Sequence, residues 1–222
     1  MTNWPDAGEQ TERSCKPVVV GISGGSAAGK TTFAAALVEV LAPSDSVVLN
    51  QDRYFRDWLD VPADKREAAR TSNHPRAVCW PELVAQVECL MARQAVQEPV
   101  VGTQAWQRGI EPRLIKAADI VLVEGHLIFG NETLRGLLDL KVFLEVDIHE
   151  RVLRRILRDT QNGTDLAAAV AWYRRDVSPN FPVHTEPTRQ YADLIVPYDQ
   201  HNAMAVMVVA AGINAMLASR SI

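Results

Sequence analysis

The chain has 222 residues, 47% hydrophobic and 23% charged, and its 23 Lys and Arg against 27 Asp and Glu leave a formal net charge of -4. This composition excludes a disordered or fibrous chain. The mildly acidic balance gives no whole-protein field for nucleic acid or anionic lipid, so neither is expected as a partner and any anion must be bound locally. Cys15, Cys79 and Cys89 show no C-x-x-C or zinc-finger spacing, which excludes a disulfide framework and sets a reducing, cytoplasmic compartment as the expectation.

In chain order, residues 1–16 are polar, carry Pro5 and Gly8, and read as a flexible leader without the apolar stretch of a signal peptide. Residues 17–222 then have the size of one domain, given the soft prior of about 100–200 residues. Val18 to Ile22 is a β-branched run ending in glycine and serine, the pattern of a strand buried on both faces. Similar runs recur at Ser46 to Leu49, Asp119 to Val123, Leu140 to Val146 and Asp193 to Val196. Helical periodicity covers Thr31 to Leu41, Pro81 to Arg93 and His149 to Arg158. Buried strands alternating with helices predict an α/β fold with a parallel sheet covered on both sides.

Two regions interrupt the alternation. Arg53 to Trp80 is charged and holds Pro62 and Pro75, followed by a hairpin expected within Val100 to Lys116. Asp159 to Asp165 has Asn162-Gly163 as a turn between arginine-bearing helices. Ligands of open α/β sheets sit beyond the carboxyl ends of the strands, so an acceptor-site insertion is expected at about 53–116 and a lid at about 159–176. Ala203 to Leu217 is apolar but shorter than the roughly 20 residues of a membrane span, and reads as a docked C-terminal helix.

The strongest chemical signal is Gly24-Gly25-Ser26-Ala27-Ala28-Gly29-Lys30-Thr31, a G-x-x-x-x-G-K-T between a predicted strand and a predicted helix. Glycines let successive backbone N–H groups turn toward phosphate oxygens, and the following helix N-terminus adds positive potential. Lys30 is assigned to the β- and γ-phosphates and Thr31 to Mg²⁺, with Thr32 completing the nucleotide-binding run. The other reading is a glycine-rich turn with a surface lysine. Asp52, just past the second strand, is the candidate base for accepting a hydroxyl proton, against the alternative of a turn aspartate. Glu124 ends the apolar run Ile120 to Val123 and is a candidate metal ligand, against a glutamate that faces solvent. Arg151, Arg154, Arg155 and Arg158 share a helix; at least two belong to a solvated face, and Arg155 and Arg158 are assigned to the lid. The five histidines show no metal spacing.

These blocks, together with Gln51-Asp52, His74-Pro75, Ala118-Asp119, Arg154 to Asp159, Glu186-Pro187-Thr188 and Tyr191-Ala192-Asp193, resemble the uridine kinase and phosphoribulokinase family of P-loop kinases from about Val18 to the C-terminal helix. The last two blocks look like uridine kinases in particular. The resemblance implies a five-stranded parallel sheet and transfer of the γ-phosphate of ATP or GTP to a hydroxyl of a small molecule. It also implies Asp52 as base and second oxygen ligand near Mg²⁺, Glu124 near the metal, Arg155 and Arg158 in the lid, and often a homo-oligomer. Acceptor binding falls by the same resemblance on Tyr54, Asn73, His74, Trp106, Arg108 and Trp172. The chain departs from the family there: Asn73 replaces the aspartate of Asp-His-Pro, only Arg108 is kept in the hairpin motif Tyr-Asp-Phe-x-x-His-x-Arg, Thr164 stands for a lid arginine and Trp172 for a glutamine. A non-nucleoside acceptor (a sugar, sugar phosphate or pantothenate-like alcohol) is therefore a second reading, and an inactive nucleotide-binding regulator a third. No N-K-x-D motif supports a GTPase.

Overall fold

The computed structural model describes residues 16–42 and 44–220; apart from Lys16, the leader expected over residues 1–16 lies outside them. The strands in chain order are β1 (Val18–Gly24), β2 (Ser46–Asn50), β3 (Val96–Glu98), β4 (Arg113–Ile115), β5 (Ile120–Glu124), β6 (Leu140–Glu145) and β7 (Leu194–Pro197). The helices are α1 (Lys30–Leu41), α2 (Ala63–Ala69), α3 (Trp80–Met91), α4 (Gln104–Gln107), α5 (Glu132–Leu137), α6 (Ile148–Gln161), α7 (Leu166–Trp172), α8 (Ser178–Asn180) and α9 (Ala203–Arg220). All five runs read as buried strands form one parallel sheet in the order β2-β5-β1-β6-β7, while β3 and β4 make a separate antiparallel pair.

Parallel strands with crossover helices must bury both faces, and the side-chain alternation of β1 sorts the core into two layers. Val18, Val20 and Ile22 pack with Phe33, Leu37 and Leu41 of α1 and Val206, Val209 and Ile213 of α9. Val19 points the other way, into a cluster with Tyr54, Leu83, Val87 and Leu90, Phe129 and Leu134. The stretch 53–116 is thus only partly an insertion: α3 within it covers one face of the sheet. The hairpin expected over Val100 to Lys116 is wider than its sequence signal, with β3 and β4 flanking a loop that contains α4.

Side-chain caps set where several helices begin. Asp147 accepts from His149 N at 2.8 Å at the start of α6, Asn131 from Leu134 N at 2.8 Å at α5, and Asp165 from Ala168 N at 3.1 Å at α7. Between α7 and β7 the chain winds through π turns at Tyr173–Val177 and Phe181–Thr185 and a 3-10 turn at Glu186–Tyr191. The C-terminal helix α9 docks as the sequence suggested, burying Val206, Val209, Ala210 and Ile213. Its 18 residues and mean hydropathy of 1.6 also meet the length and composition of a membrane span, with 22% of that stretch buried in the protein.

Candidate active site

The order β2-β5-β1-β6 puts β2 and β5 on one side of β1 and β6 on the other, and the carboxyl ends of β2, β5 and β1 deliver the chemistry to one place, as open α/β sheets do. β1 ends in the glycine-rich loop, β2 leads to Asn50 and Asp52, and β5 ends at Glu124. They line a cavity of about 600 Å³ together with α6 residues Arg154, Arg155 and Arg158 and the segment after β7, Tyr198, Gln200 and His201.

The loop itself is tightly specified. Gly29 has φ +87 and hands the chain into α1, a conformation that costs glycine little. Ala27 is held at φ +62 without that freedom, a local strain of about 1 kcal/mol or more. Gly25 allows close approach: a Cβ there would run into the Arg151 guanidinium, which would have to shift. Lys30 Nζ donates to the carbonyls of Gly24 at 3.2 Å and Gly25 at 3.0 Å, arching back over the loop. Burial pulls the Lys30 ammonium below the ordinary lysine value, and Glu124 and Asp52 oppose that shift.

A hydrogen-bonded chain ties the three strand ends together. Thr31 Oγ1 and Asn50 Nδ2 both donate to Glu124 Oε1 at 2.7 Å, and Asn50 Oδ1 accepts from Asp52 N at 2.7 Å. Glu124 is 2% exposed, and burial raises its pKa despite the Thr31 bond and the Lys30 charge. Glu124 therefore does not face solvent. Among the described residues no group of three or more His, Cys, Asp and Glu comes together as a metal cage. The Thr31 hydroxyl and Glu124 carboxylate, with Asp52 on the same wall, form a hard oxygen donor set. That set fits Mg²⁺, which takes one or two carboxylates and completes its shell with phosphate oxygens and water.

The four α6 arginines divide. Arg151 is buried, donates through Nε to Val146 O at 3.2 Å and stacks on Phe181 with 4.0 Å to the ring centroid, so it supports the glycine loop from behind. Arg154 pairs with Glu150 at 2.7 Å and donates to the carbonyls of Tyr198 and Asp199. Arg155 donates to Ser26 Oγ in the loop and lies 3.3 Å from Asp159. Arg158 also lines the cavity but is half exposed and pairs with Asp159 at 3.0 Å.

The acceptor side needs the most correction. Tyr54 is not in the cavity wall: it is fully buried, its hydroxyl 2.6 Å from Gln86 Oε1 and 3.2 Å from Glu98 Oε1, and that burial drives the phenol pKa far upward. It is part of the apolar layer under β5. His74 stands outside the cavity with its ring 4.4 Å from that of His184, its Nδ1 accepting from Arg76 N. Trp106 is 48% exposed on the surface of α4. Arg108 and Trp172 line a second, open cavity of about 780 Å³ with Thr164, Asp159 and Arg175, and Arg155 is the wall it shares with the first. Of the six acceptor candidates only Asn73 lines the main cavity.

Its companions there, Phe55, Ser72 and His126, carry no motif that sequence reasoning would single out. His126 Nε2 is 2.9 Å from the carbonyl oxygen of Ser72, so it donates, and burial lowers the ring pKa to about 4. Its one signal is position, two residues beyond Glu124 at a strand tip. The same strand-end rule applied to β7 finds Tyr198, Gln200 and His201.

A sheet of this order with a glycine loop, a part-buried lysine and a threonine-carboxylate pair defines a P-loop nucleotide-binding protein. The phosphoribulokinase / uridine kinase family model matches residues 19–205, and the chain belongs to that family. It is 33% identical over 210 residues to the uridine kinase of Limosilactobacillus reuteri (strain DSM 20016), covering 94% of this chain and 96% of the relative. It is 36% identical over 211 residues to the uridine kinase of Lactobacillus johnsonii (strain CNCM I-12250 / La1 / NCC 533), covering 93% and 99%. Phosphoribulokinase from Rhodobacter spheroides shares the fold with a TM-score of 0.57 at 16% identity, covering 80% of this chain and 68% of that one. The chain is thus an ATP-dependent phosphotransferase with a hydroxyl acceptor, most like the uridine kinases.

Proposed function

We propose that this protein moves the γ-phosphate of magnesium-bound ATP to a hydroxyl of a pyrimidine nucleoside, the acceptor class named for its relatives. The observation that carries the reading is the bonded chain Thr31–Glu124–Asn50–Asp52, which places a phosphate-loop hydroxyl, a buried carboxylate and a free carboxylate on one wall. The bound Mg²⁺ would supply charge neutralisation between the β- and γ-phosphates, held by Thr31 and Glu124. Lys30 and the loop N–H groups orient the phosphates, and Arg155, bonded to Ser26, faces the transferred group. Asp52 accepts the acceptor's hydroxyl proton as the oxygen attacks phosphorus. In this reading the second cavity, with Trp172 and Arg108, receives the part of the acceptor distant from the reacting hydroxyl. A cytoplasmic setting supplies both nucleotide and acceptor.

A non-nucleoside acceptor is the second reading, favoured by the wall of Ser72, Asn73 and His126, which has Phe55 as its aromatic side chain on the acceptor side. ADP release with uridine, cytidine, sugars and pantothenate-like alcohols separates the two. Turnover of uridine or cytidine supports the first reading, and turnover confined to another acceptor replaces it. Asp52→Asn is expected to lower kcat about 100-fold or more with ATP affinity nearly unchanged; a variant with wild-type kcat removes Asp52 from the base role.

A further inference from the structure

This inference rests on the kinase reading of the main cavity and concerns what holds its acceptor wall. Asp176 sits in the π turn Tyr173–Val177, 3% exposed. Its Oδ2 accepts from Ser72 N at 2.9 Å and from Asn73 Nδ2 at 2.7 Å. Its Oδ1 accepts from Thr71 Oγ1 and, at 3.5 Å, from Asn180 Nδ2. An enclosed carboxylate is tolerated when it is supplied with donors in this way.

A carboxylate offers only acceptor sites, so the Asn73 amide has one orientation, with nitrogen on Asp176 and oxygen away from it. That oxygen is not among the enclosed unpartnered polar atoms, and Asn73 lines the cavity beside Ser72 and His126. Ser72 is fixed from both sides, its N–H by Asp176 and its carbonyl by His126 Nε2. An aspartate at 73 would set a second carboxylate oxygen where Nδ2 now lies 2.7 Å from Asp176, and two carboxylates in contact cannot both remain ionised.

We propose that Asp176 is the specificity-determining positioning residue of the acceptor site. It locks Asn73 so that a neutral carbonyl oxygen faces the cavity and accepts a hydroxyl of a polyhydroxylated acceptor. The negative charge of this wall is carried one layer back, in the helical segment after α7. Residues 73 and 176 then act as a pair: neither can be exchanged alone, and exchanging their chemistry together restores part of the contact.

The test is a cycle in the full chain of Asn73→Asp, Asp176→Asn and the double exchange. Its readouts are thermal melting and the KM for ATP and for the best acceptor among uridine, cytidine, ribose and ribitol. Each single variant is expected to lower Tm and raise acceptor KM about tenfold or more with ATP KM within about twofold, the size of one lost charge-assisted hydrogen bond. The double exchange regains Tm and acceptor affinity, short of completely because Ser72 N–H loses its carboxylate. Should either single variant fail to fold, Asn73→Ser removes the amide without adding buried charge and is expected to give the same rise in acceptor KM. Additive melting losses, or wild-type acceptor KM in Asn73→Asp or Asn73→Ser, overturn the proposal while leaving the kinase reading intact. Wild-type protein that phosphorylates none of the four overturns the nucleoside reading and the acceptor role of this wall together, even where the melting cycle shows coupling.

Discussion

His126 shows how burial, helped by the charge of Lys30, can give a side chain its state. The ring is enclosed, donates through Nε2 to Ser72, and has its pKa lowered to about 4. An unfolded histidine titrates near 6.5, so below that pH the unfolded chain takes a proton that the folded chain refuses. Stability from this residue is complete above about 6.5 and is lost as pH falls toward about 4. The Tm of wild-type protein should therefore drop more between about pH 7 and about pH 5 than that of His126→Gln, and equal drops would remove the buried neutral ring as the cause. Tyr54 makes the converse point. The family resemblance puts it in the acceptor site, but its hydroxyl serves Gln86 and Glu98 in the core. Tyr54→Phe should cost about 1 kcal/mol of stability, leaving Glu98 short of a donor, with acceptor KM unchanged. Denaturant melts and acceptor titration check both halves. The meeting of Lys30, Thr31 and Glu124 at one cavity was legible because their positions depend on local context, a loop between strand and helix and a carboxylate at a strand tip. Tyr54 and Trp106 were not, because a single turn of chain decides whether an aromatic ring enters the core, the cavity or the solvent.

At the scale of elements, α6 is instructive. Spacings of three, four and seven put Arg151, Arg155 and Arg158 on a related face, yet in the structure they diverge. Arg151 lies behind the loop, Arg155 reaches onto Ser26, and Arg158 turns toward solvent with Asp159. A 3.6-residue period does not align these residues on one line, and successive turns meet different surfaces, Arg151 against Gly25 and Arg155 against Ser26. Arg151 has the least accessible position and the tightest consequence. Gly25→Ala would force the Arg151 guanidinium away from the glycine loop, and ATP affinity should fall about tenfold or more as the loop shifts from its phosphate-binding geometry. Titration with ATP checks this, and unchanged affinity would show that Arg151 yields without moving the loop. The helical run from Tyr173 to Tyr191 was the least legible element. Its π and 3-10 turns follow no single period, and Asp176 within it finds its partners about a hundred residues earlier in the chain.

For the whole molecule, the two faces of the sheet divide labour. α1 and α9 seal one side with a cluster that includes Phe33, Val209 and Ile213, while α3 and the elements around it cover the other. Ile213 is fully buried on the helix that backs α1, away from the cavity wall. Ile213→Ala should destabilise the fold by about 2–5 kcal/mol while ATP KM at a temperature below melting stays near wild type. A large change in ATP KM would instead couple α9 to the phosphate loop through α1. The amino-acid sequence by itself determined the α/β class, the five strands of the parallel sheet, the phosphate loop and the carboxylates at the strand ends, because these follow from hydrophobic period and from residues acting within one turn of their neighbours. Only the tertiary structure decided the cavity wall proposed for the acceptor. Phe55, Asn73, His126 and Asp176 come from separate segments, and whether each lines the cavity or supports it from behind is set by packing between elements that no local pattern encodes. The net charge of -4 fits both levels: the cations that matter, Lys30 and Arg155, are gathered at one cavity by the fold, and their sum over the chain says nothing of that place.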